Sequence, residues 1–496
     1  RETYARTAAL SGQVGRLRNG LQRRTQAPGQ RTCQHPGVVA RHVDPALIAR
    51  YDRSGPRYTS YPTAVQFRPG FGEEMYRAQA LASNRGAAPL SLYFHIPFCA
   101  RLCFYCGCNK VVTKNRTRAA PYLANLHKEI ELQGRLFDPA RPVTQLHWGG
   151  GTPTFISHAE MRELMAVTRR YFRLLDDDSG QYGIEVDPRE TRPGTLALLR
   201  ELGFNRLSLG VQDFEPKVQA AVNRIQSEAQ TFAVLHEARA LGYRSINMDL
   251  IYGLPFQTVE SFTRTLDKVI AARPDRLSVF NYAHLPQMFP PQKRIDAADL
   301  PSPQQRLAIL QASIERLTGA GYVYIGMDHF ARPDDELAIA QENGTLYRNF
   351  QGYSTHADCD LIGLGITAIG SVGISYSQNV KTLEEYAERL DAGRLPVFRG
   401  VALDADDLLR RDVITQLICH FTLDIPALER AHGIVFADYF ATELAELAQM
   451  RDDGLIALAT DRIDVQPPGR LLVRNICMVF DRYLRAAAPA RYSKVI

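Results

Sequence analysis

Four cysteines lie close together in one stretch of the chain, Tyr93-Phe-His-Ile-Pro-Phe-Cys-Ala-Arg-Leu-Cys-Phe-Tyr-Cys-Gly-Cys108. Cys99, Cys103 and Cys106 have C-x3-C-x2-C spacing, and Cys108 follows two residues later. Half of the eight cysteines of the chain therefore fall in one short loop. So dense a group of thiols is typical of a disulfide framework, a zinc site or an iron–sulfur cluster.

These three kinds of site place different demands on the rest of the chain. Disulfide frameworks belong to short secreted chains, whereas this chain has 496 residues and no recognisable secretory signal. Zinc sites usually combine two cysteine or histidine pairs, and no second pair occurs elsewhere in the sequence, although zinc stays open as an alternative. A four-iron cluster held by three thiolates leaves one iron free to bind a small molecule, as an enzyme requires. The spacing therefore favours an iron–sulfur cluster.

The cysteine stretch resembles the radical S-adenosylmethionine (SAM) superfamily, whose signature is C-x3-C-x2-C with an aromatic residue before the last cysteine, here Tyr105. The longer string from Tyr93-x-His95-x-Pro97 through Cys108-Asn-Lys is similar to the oxygen-independent coproporphyrinogen III oxidases (coproporphyrinogen dehydrogenases) of haem biosynthesis. That resemblance runs from about residue 44 to the C-terminus. It implies an oxidoreductase of porphyrin biosynthesis.

The resemblance also implies cofactors and a reaction. Cys99, Cys103 and Cys106 would hold a [4Fe–4S] cluster, SAM would chelate the open iron, and a second SAM would bind nearby. An electron from the cluster would cleave SAM to a 5′-deoxyadenosyl radical, which would take hydrogen from a propionate β-carbon of coproporphyrinogen III. Loss of CO2 from two propionates would give the vinyl groups of protoporphyrinogen IX. The enzyme would need an electron donor and an electron acceptor that the sequence does not identify.

Beyond the cysteines, short apolar runs alternate with longer amphipathic stretches. Six runs predict strands: Leu90–Ile96, Val143–Trp148, Tyr182–Val186, Arg206–Val211, Ser245–Leu250 and Arg276–Tyr282. The stretches after them predict helices over residues 119–135, 158–174, 192–202, 228–241, 258–272 and 303–318. This alternation predicts an α/β fold with a parallel sheet, either doubly wound or curled into a barrel. The resemblance implies a partial (β/α)6 barrel with a smaller, mainly helical C-terminal domain.

Glycines and polar residues follow these runs, at the strand ends where parallel sheets carry their chemistry. Each polar residue could merely cap the next helix, but four in a row favour a site. The resemblance assigns cofactor binding to Tyr93, Tyr105, Gly149, Gly150, Gly151, Thr152, Glu185, Gln212, Arg224, Asp249, Ala283 and Ile369. In that set the glycines would bind the SAM amino group, Glu185 would contact the first SAM, and the last five residues would line the second. The catalytic candidates are Tyr93, His95 and Cys108.

A segment dense in arginine and tyrosine precedes the cysteines, over residues 51–63. Arg53 and Arg57 beside phenols would suit the carboxylates of a flat ring, because guanidinium pairs with carboxylate and stacks on aromatic rings. The simpler interpretation is a solvated surface loop. The resemblance supports the first, since the family carries a similar Arg-Tyr-Thr-Ser-Tyr-Pro-Thr string.

The formal charge of +6 is concentrated at the N-terminus, where residues 1–42 carry eight arginines and one acid. The other 454 residues sum to −1, so the charge does not indicate a nucleic-acid partner. We predict a basic, disordered extension over residues 1–43, with a mitochondrial transit peptide as the alternative. No window carries the roughly 18 apolar residues of a membrane span. We expect a cytoplasmic monomer.

The predicted boundaries place an N-terminal substrate-side segment at 44–89, the catalytic domain at 90–395 and a helical domain at 396–496. Residues 327–379 show no clear periodicity and are expected to close the barrel over the substrate, and Cys359, Cys419 and Cys477 are expected in the core. The last domain, with helices over 404–420, 425–432 and 436–451 and a turn at 466–469 before a final strand and helix, resembles a winged helix. Its 14 acidic and 11 basic side chains over residues 401–496 exclude a DNA-binding face.

The alternative function is that of a haem-binding protein, because a radical SAM relative of these oxidases acts as a haem chaperone. That relative typically lacks the fourth cysteine. Cys108 and the Arg57-Tyr58-Thr-Ser-Tyr61 segment are both present here, which favours the enzyme over a haem-binding protein.

Overall fold

The computed structural model describes residues 45–486, and the predicted disordered extension lies outside them. The chain forms two compact units. The larger contains Phe67–Ile309 and Asp358–Ala402, and the smaller contains the described residues up to Gln66, Leu310–Ala357 and those from Leu403 onward. The domain boundaries given above stay a prediction.

The larger unit is built on six parallel strands. They are β1 (Leu90–Ile96), β2 (Pro142–Gly150), β3 (Gln181–Val186), β4 (Arg206–Gln212), β5 (Ser245–Tyr252) and β6 (Arg276–Asn281). Each strand pairs with the next in chain order. A doubly wound sheet reverses its strand order, whereas a β/α barrel does not. The order therefore favours the barrel alternative, and all six predicted strands are confirmed.

Helices separate these strands as predicted. Those of the larger unit are Glu73–Ser83, Ala119–Gly134, His158–Tyr171, Thr195–Glu201, Pro216–Ala221, Glu228–Ala240, Val259–Ala272 and Leu383–Asp391, and Pro303–Gly319 begins there. Capping boxes at Ser157 and Thr258 fix two of the starts. The helix predicted from residue 192 begins only at Thr195, because Gly194 before it has a left-handed backbone with φ of 76°.

The sheet continues beyond β1 through strands that the sequence pattern did not predict. β7 (Asp360–Leu364) pairs with β1 in parallel, and β8 (Ile369–Val372), β9 (Ser375–Asn379) and β10 (Val397–Ala402) follow in antiparallel order. The short strand Arg173–Leu174 lies beside β2. Residues 327–379, which show no clear periodicity, therefore contain the regular strands β7, β8 and β9.

Side chains alternate between the two faces of the barrel strands. On β4, Leu207 and Leu209 are buried in the core, whereas Ser208 between them is partly exposed. β5 repeats the pattern, with Asn247 and Asp249 on the partly exposed face. One face of the sheet therefore carries the polar residues that could form a site.

The smaller unit is mainly helical. Its helices are Pro45–Tyr51, Glu336–Glu342, Ala405–His420, Ile425–His432, Phe436–Tyr439, Ala441–Asp452, Val473–Val479 and Arg482–Ala486, and its strands are Val323–Gly326, His329–Ala331, Tyr347–Asn349, Gly352–Ser354, Thr422–Asp424, Ile456–Leu458 and Arg462–Val465. The helix predicted over 436–451 is interrupted at Phe440, whose ψ of 28° departs from helical geometry. The strand expected after the 466–469 turn is wrong, because Arg462–Val465 precedes that turn and pairs with Ile456–Leu458.

Two of the three isolated cysteines are buried as predicted. Cys419 and Cys477 are in the core, but Cys359 is partly exposed beside Thr144, so the core prediction is wrong for Cys359. No helix within residues 45–486 is long and apolar enough to cross a membrane.

Candidate active site

The cysteine loop begins where β1 ends and is closed at its base by backbone pairing. Phe98–Cys99 forms a short parallel ladder with Val111–Val112. Lys110 Nζ donates to the carbonyl oxygens of Cys106 and Cys108, at 3.1 and 3.3 Å. These contacts hold the loop through its backbone atoms, so the thiol groups remain available to bind a ligand.

The four thiols of the loop are free, and no disulfide joins the cysteines of residues 45–486. Burial raises the pKa of Cys99 to about 12, although Thr152 Oγ1 lies 3.6 Å from its sulfur. A hydrogen bond from Cys108, together with the charge of Lys110, lowers the pKa of Cys106 to about 6 and favours the thiolate that binds metal.

The donor atoms of the loop suit an iron–sulfur cluster. Cys99, Cys103, Cys106 and Cys108 are all free thiols. Cysteine thiolates are the ligands that hold iron–sulfur clusters. The residues present therefore fit a [4Fe–4S] cluster, for which Cys99, Cys103 and Cys106 stay the predicted ligands.

Aromatic residues anchor the cysteine loop to the barrel. Phe104 and Tyr105 pack against an apolar cluster formed by Val218, Val222, Leu254, Tyr282 and Ile295. Gln292 Nε2 donates to the carbonyl oxygens of Tyr105 and Ala283, at 3.0 and 3.2 Å. These hydrogen bonds bring two of the predicted cofactor-binding residues, Tyr105 and Ala283, together.

The three glycines at the end of β2 are required by close packing within the protein. A Cβ atom added to Gly149 would lie 2.8 Å from Glu185 Oε1, and one added to Gly150 would lie 2.6 Å from the His95 ring. A Cβ atom added to Gly151 would lie 2.7 Å from the backbone of Pro97. Gly150 also has a φ of 107°, which other residues rarely adopt. The glycines thus let β2, β3 and the cysteine loop approach one another.

Hydrogen bonds fix Tyr93 and His95 in one orientation. His95 Nε2 lies 2.9 Å from the carbonyl oxygen of Asn109, so it carries the proton and donates. Burial lowers the pKa of His95, which keeps the ring neutral and leaves Nδ1 as an acceptor for the Tyr93 hydroxyl at 3.2 Å. The Tyr93 ring stacks on His147 with centroids 6.0 Å apart.

Glu185 presents a charged carboxylate to open space. Its Oε2 accepts from the Gly150 N–H at 3.1 Å, and its Oε1 lies 3.4 Å from His147 Nε2. Burial opposes ionisation, but these contacts outweigh it and lower the pKa of Glu185. The side chain is nevertheless 44% exposed, although its strand lies inside the sheet. Such a carboxylate can bind a cationic group of a ligand.

His147 is a site residue that the sequence prediction missed. Strand register pairs it directly with Tyr93 on the adjacent strand. The signal was present, since His147 lies two residues before Gly149 and alternation puts both on the same face of β2.

Two arginines lie beside one of the cluster cysteines. Arg224 Nη1 and Arg189 Nη2 lie 3.6 and 3.5 Å from Cys103 Sγ. Both also donate to Asp187 Oδ2, at 3.1 and 2.7 Å. Burial disfavours the charge of Asp187, yet the two guanidiniums lower its pKa to about 2. Arg224 is only 6% exposed, so it is a buried residue and not part of a solvated surface.

Neither Arg189 nor Asp187 was among the predicted site residues, although Asp187 directly follows the predicted strand Tyr182–Val186. Asp187 also caps the turn that follows β3, by accepting from the Arg189 N–H at 3.0 Å. Asp187 therefore caps the turn and also binds the two arginines beside Cys103. The sequence pattern alone does not distinguish these two roles.

The remaining strand-end residues divide into two kinds. Asp249 accepts from Ser208 and Asn247, at 2.7 and 2.8 Å, and burial raises its pKa on the polar face of the sheet. Gln212 ends β4 with a φ of 68°, unusual for a residue with a side chain. Asp213 is different, since it is 1% exposed and accepts from Thr265 and other neighbours within the core. Asp213 is therefore structural.

Three predicted residues belong to other elements of the chain. Ile369 begins β8, two strands from β1 in the sheet. Arg53 and Arg57 belong to the smaller unit, where Arg53 is exposed and Arg57 Nη1 pairs with Asp328 Oδ2 at 3.0 Å.

Comparison with known proteins identifies the family. Residues 93–269 match the Radical SAM superfamily, and residues 403–472 match the HemN C-terminal domain. The oxygen-independent coproporphyrinogen III oxidase of Pseudomonas aeruginosa is 59% identical over 454 residues, which cover 91% of this chain and 98% of that protein. The chain belongs to the oxygen-independent coproporphyrinogen III oxidase family. The Escherichia coli protein of the same name is 53% identical over 454 residues, with the same coverage.

The solved structure of the Escherichia coli coproporphyrinogen III oxidase, a radical SAM enzyme, superposes with a TM-score of 0.85. It covers 90% of this chain and 100% of that chain, at 52% identity. The predicted radical SAM α/β fold and the oxidase family are thus confirmed. Membership of this superfamily means that the cofactors are a [4Fe–4S] cluster and SAM.

Proposed function

We propose that this chain decarboxylates two propionates of coproporphyrinogen III to vinyl groups without oxygen and so makes protoporphyrinogen IX for haem synthesis. Family membership supports the reaction. The observation that carries it is the loop of free thiols at C-x3-C-x2-C spacing beside the charged Glu185. When bound, the cluster and SAM supply the electron and the radical that remove hydrogen from the propionate.

The residues around the cysteine loop would bind and orient SAM. Glu185 would hold the amino group of SAM, because its carboxylate is charged and faces open space. The Tyr93 hydroxyl donates a hydrogen bond to His95. A second SAM is proposed at the residues that the family resemblance assigns to it, Gln212, Arg224, Asp249, Ala283 and Ile369. Cys108 stays a proposed catalytic residue, since its side chain is not needed for the cluster.

Binding of the tetrapyrrole requires partners for its carboxylates, and Arg53 and Arg57 are proposed for that role. Burying an unpaired carboxylate is costly, and guanidinium stays charged throughout the working pH range. We also propose that the enzyme uses an electron donor and an electron acceptor. It would be a monomer and would be located in the cytoplasm.

The test is anaerobic turnover by reconstituted protein with SAM, a reductant and coproporphyrinogen III. We expect protoporphyrinogen IX and 5′-deoxyadenosine from the wild type and neither from Cys103→Ser. A second sample receives haem alone. A stable complex with a Soret band, together with no turnover of coproporphyrinogen, would overturn the proposal in favour of the haem-chaperone alternative.

A further inference from the structure

Arg348 is a buried arginine whose guanidinium is incompletely paired. It lies in a hairpin of the smaller unit, in which Tyr347–Asn349 pairs with Gly352–Ser354. The residue is only 6% exposed. Its Nε and Nη1 are buried, and neither has a hydrogen-bond acceptor among residues 45–486. Leaving a buried charged donor unpaired costs free energy, so the protein alone does not satisfy this side chain.

Neighbouring contacts hold the guanidinium in place. Its central carbon lies 4.6 Å from the centroid of the Tyr353 ring, directly across the hairpin. Tyr353 is itself fixed, because its hydroxyl donates to the carbonyl oxygen of Ile418 at 3.0 Å. Arg348 is therefore positioned before any ligand binds, which lowers the entropy that binding would lose.

A second arginine, Arg474, lies near Arg348. Arg474 is 4% exposed and donates to the carbonyl oxygens of Gly55 and Pro56, the latter at 2.9 Å. Burial, with the nearby charges of Arg57 and Arg348, lowers the pKa of Arg474 to about 10. The positive charges of Arg57 and Arg348 thus both act on Arg474.

Asp328 contacts Arg57 rather than Arg348. Its Oδ2 accepts from Arg57 Nη1 at 3.0 Å, and its charge also acts on Arg474. Among residues 45–486 no acceptor reaches Nε or Nη1 of Arg348. Since Arg348 can donate but not accept, a partner that completes its hydrogen bonding must be an acceptor, and the charge of the guanidinium favours an anion.

We propose that Arg348, with Arg57 and Arg474, forms a carboxylate-binding site for the tetrapyrrole substrate. The proposal rests on the proposed function, which supplies a ligand with four propionates. SAM also carries a carboxylate, so the test has to distinguish the two sources. Arg348 rather than Arg57 is the leading contact, because Arg57 already has a partner in Asp328.

The experiment measures binding of coproporphyrin III and of its tetramethyl ester to the anaerobic, cluster-loaded enzyme. In the wild type the ester should bind more weakly, since it lacks the carboxylates. Arg348→Met should raise the Kd for the free acid by about tenfold or more, the expected loss of a charged hydrogen bond. The variant should then prefer the acid over the ester less strongly than the wild type does, and Arg348→Lys should recover part of the loss.

Controls separate binding from folding and from the reaction itself. Arg410→Met removes another buried arginine of the smaller unit, one that already pairs with Asp406 and Glu443, and should leave the Kd unchanged in the folded protein. An Arg348→Met enzyme that distinguishes acid from ester as the wild type does would overturn the proposal. So would a loss of SAM affinity with unchanged porphyrin affinity. Failure of the wild type to make protoporphyrinogen would instead count against the proposed function.

Discussion

Arg141 in the larger unit and Arg348 in the smaller unit are both buried, but their surroundings differ. All three nitrogens of the Arg141 guanidinium donate to protein acceptors, namely Ala88 O, Ser83 Oγ, Asn84 Oδ1 and Asp360 Oδ2. Two nitrogens of Arg348 have no acceptor among the described residues. We infer that the first arginine stabilises the fold and that the second serves a ligand.

The cysteines show the same contrast. Cys419 and Cys477 are enclosed in the core of the smaller unit, whereas the four thiols of the cysteine loop lie beside charged side chains at the end of β1. Groups that the protein pairs completely contribute to stability, and groups that it leaves incompletely paired indicate a binding site. Four predictions test this distinction.

The largest effect is expected at the cysteine loop. Replacing Cys99, Cys103 or Cys106 by serine should abolish the cluster, because three thiolates are needed to hold it. Cys108→Ser should keep most of the iron but lose turnover. Iron analysis and Mössbauer spectroscopy measure both, with Cys477→Ser as a core control that retains iron and activity. Loss of the cluster in Cys108→Ser alone would contradict the assignment of the three ligands.

A smaller but still large effect is expected for Arg141→Met. The substitution leaves Asp360 as a buried carboxylate without its cation, which should lower the free energy of unfolding by about 3–5 kcal/mol. Denaturant unfolding of the full chain measures this loss. Adding Asp360→Leu should recover part of the stability, since the double variant buries no unpaired charge. A double variant that is less stable than Arg141→Met would refute this explanation.

Glu129 is an intermediate case, since among residues 45–486 this buried carboxylate accepts only from the neutral groups Tyr386, Asn379 and Gly365. Burial raises the pKa of Glu129 to about 7. The stability that the neutral form contributes is therefore complete below the unfolded pKa of about 4.5 and is lost as pH rises through about 7, by on the order of 3 kcal/mol.

The measurement for Glu129 is the unfolding free energy of the wild type minus that of Glu129→Gln, between pH 5 and 8. Glutamine does not titrate, so this difference should fall as pH rises. A difference that stays constant with pH would show that Glu129 does not titrate in this range.

The smallest effect on stability is expected at Arg348. Arg348→Met removes an unpaired buried charge and one contact between a cation and an aromatic ring, so the free energy of unfolding should change by less than about 1 kcal/mol. Equilibrium unfolding measures this change beside that of Arg141→Met. An equally large loss in the two variants would mean that Arg348 belongs to the fold, and the contrast between the two arginines would fail.

Much of the fold could be predicted from local pattern. The six barrel strands and their helices follow the alternation of apolar residues, because each strand buries one face in the core. Strands β7 to β10 escaped prediction, since they are short and rich in glycine and serine and are ordered by pairing with distant strands.

The site was predictable where its residues lie in one short stretch. Spacing alone indicated the cluster cysteines, and position at strand ends indicated Glu185 and Asp249. Arg189 and Arg348 could not be found in this way. Arg189 is distinguished by its contact with Cys103, far away in sequence, and Arg348 by its burial and incomplete pairing in the folded hairpin.

The proposed reaction removes hydrogen from the propionates of coproporphyrinogen III by radical chemistry. Substrate deuterated at the propionate β-carbons tests this, with the 5′-deoxyadenosine followed by mass spectrometry. We expect deuterium in 5′-deoxyadenosine, formed together with protoporphyrinogen IX and only when Cys99, Cys103 and Cys106 are all present. Formation of protoporphyrinogen IX with no deuterium in 5′-deoxyadenosine would refute hydrogen removal by the 5′-deoxyadenosyl radical.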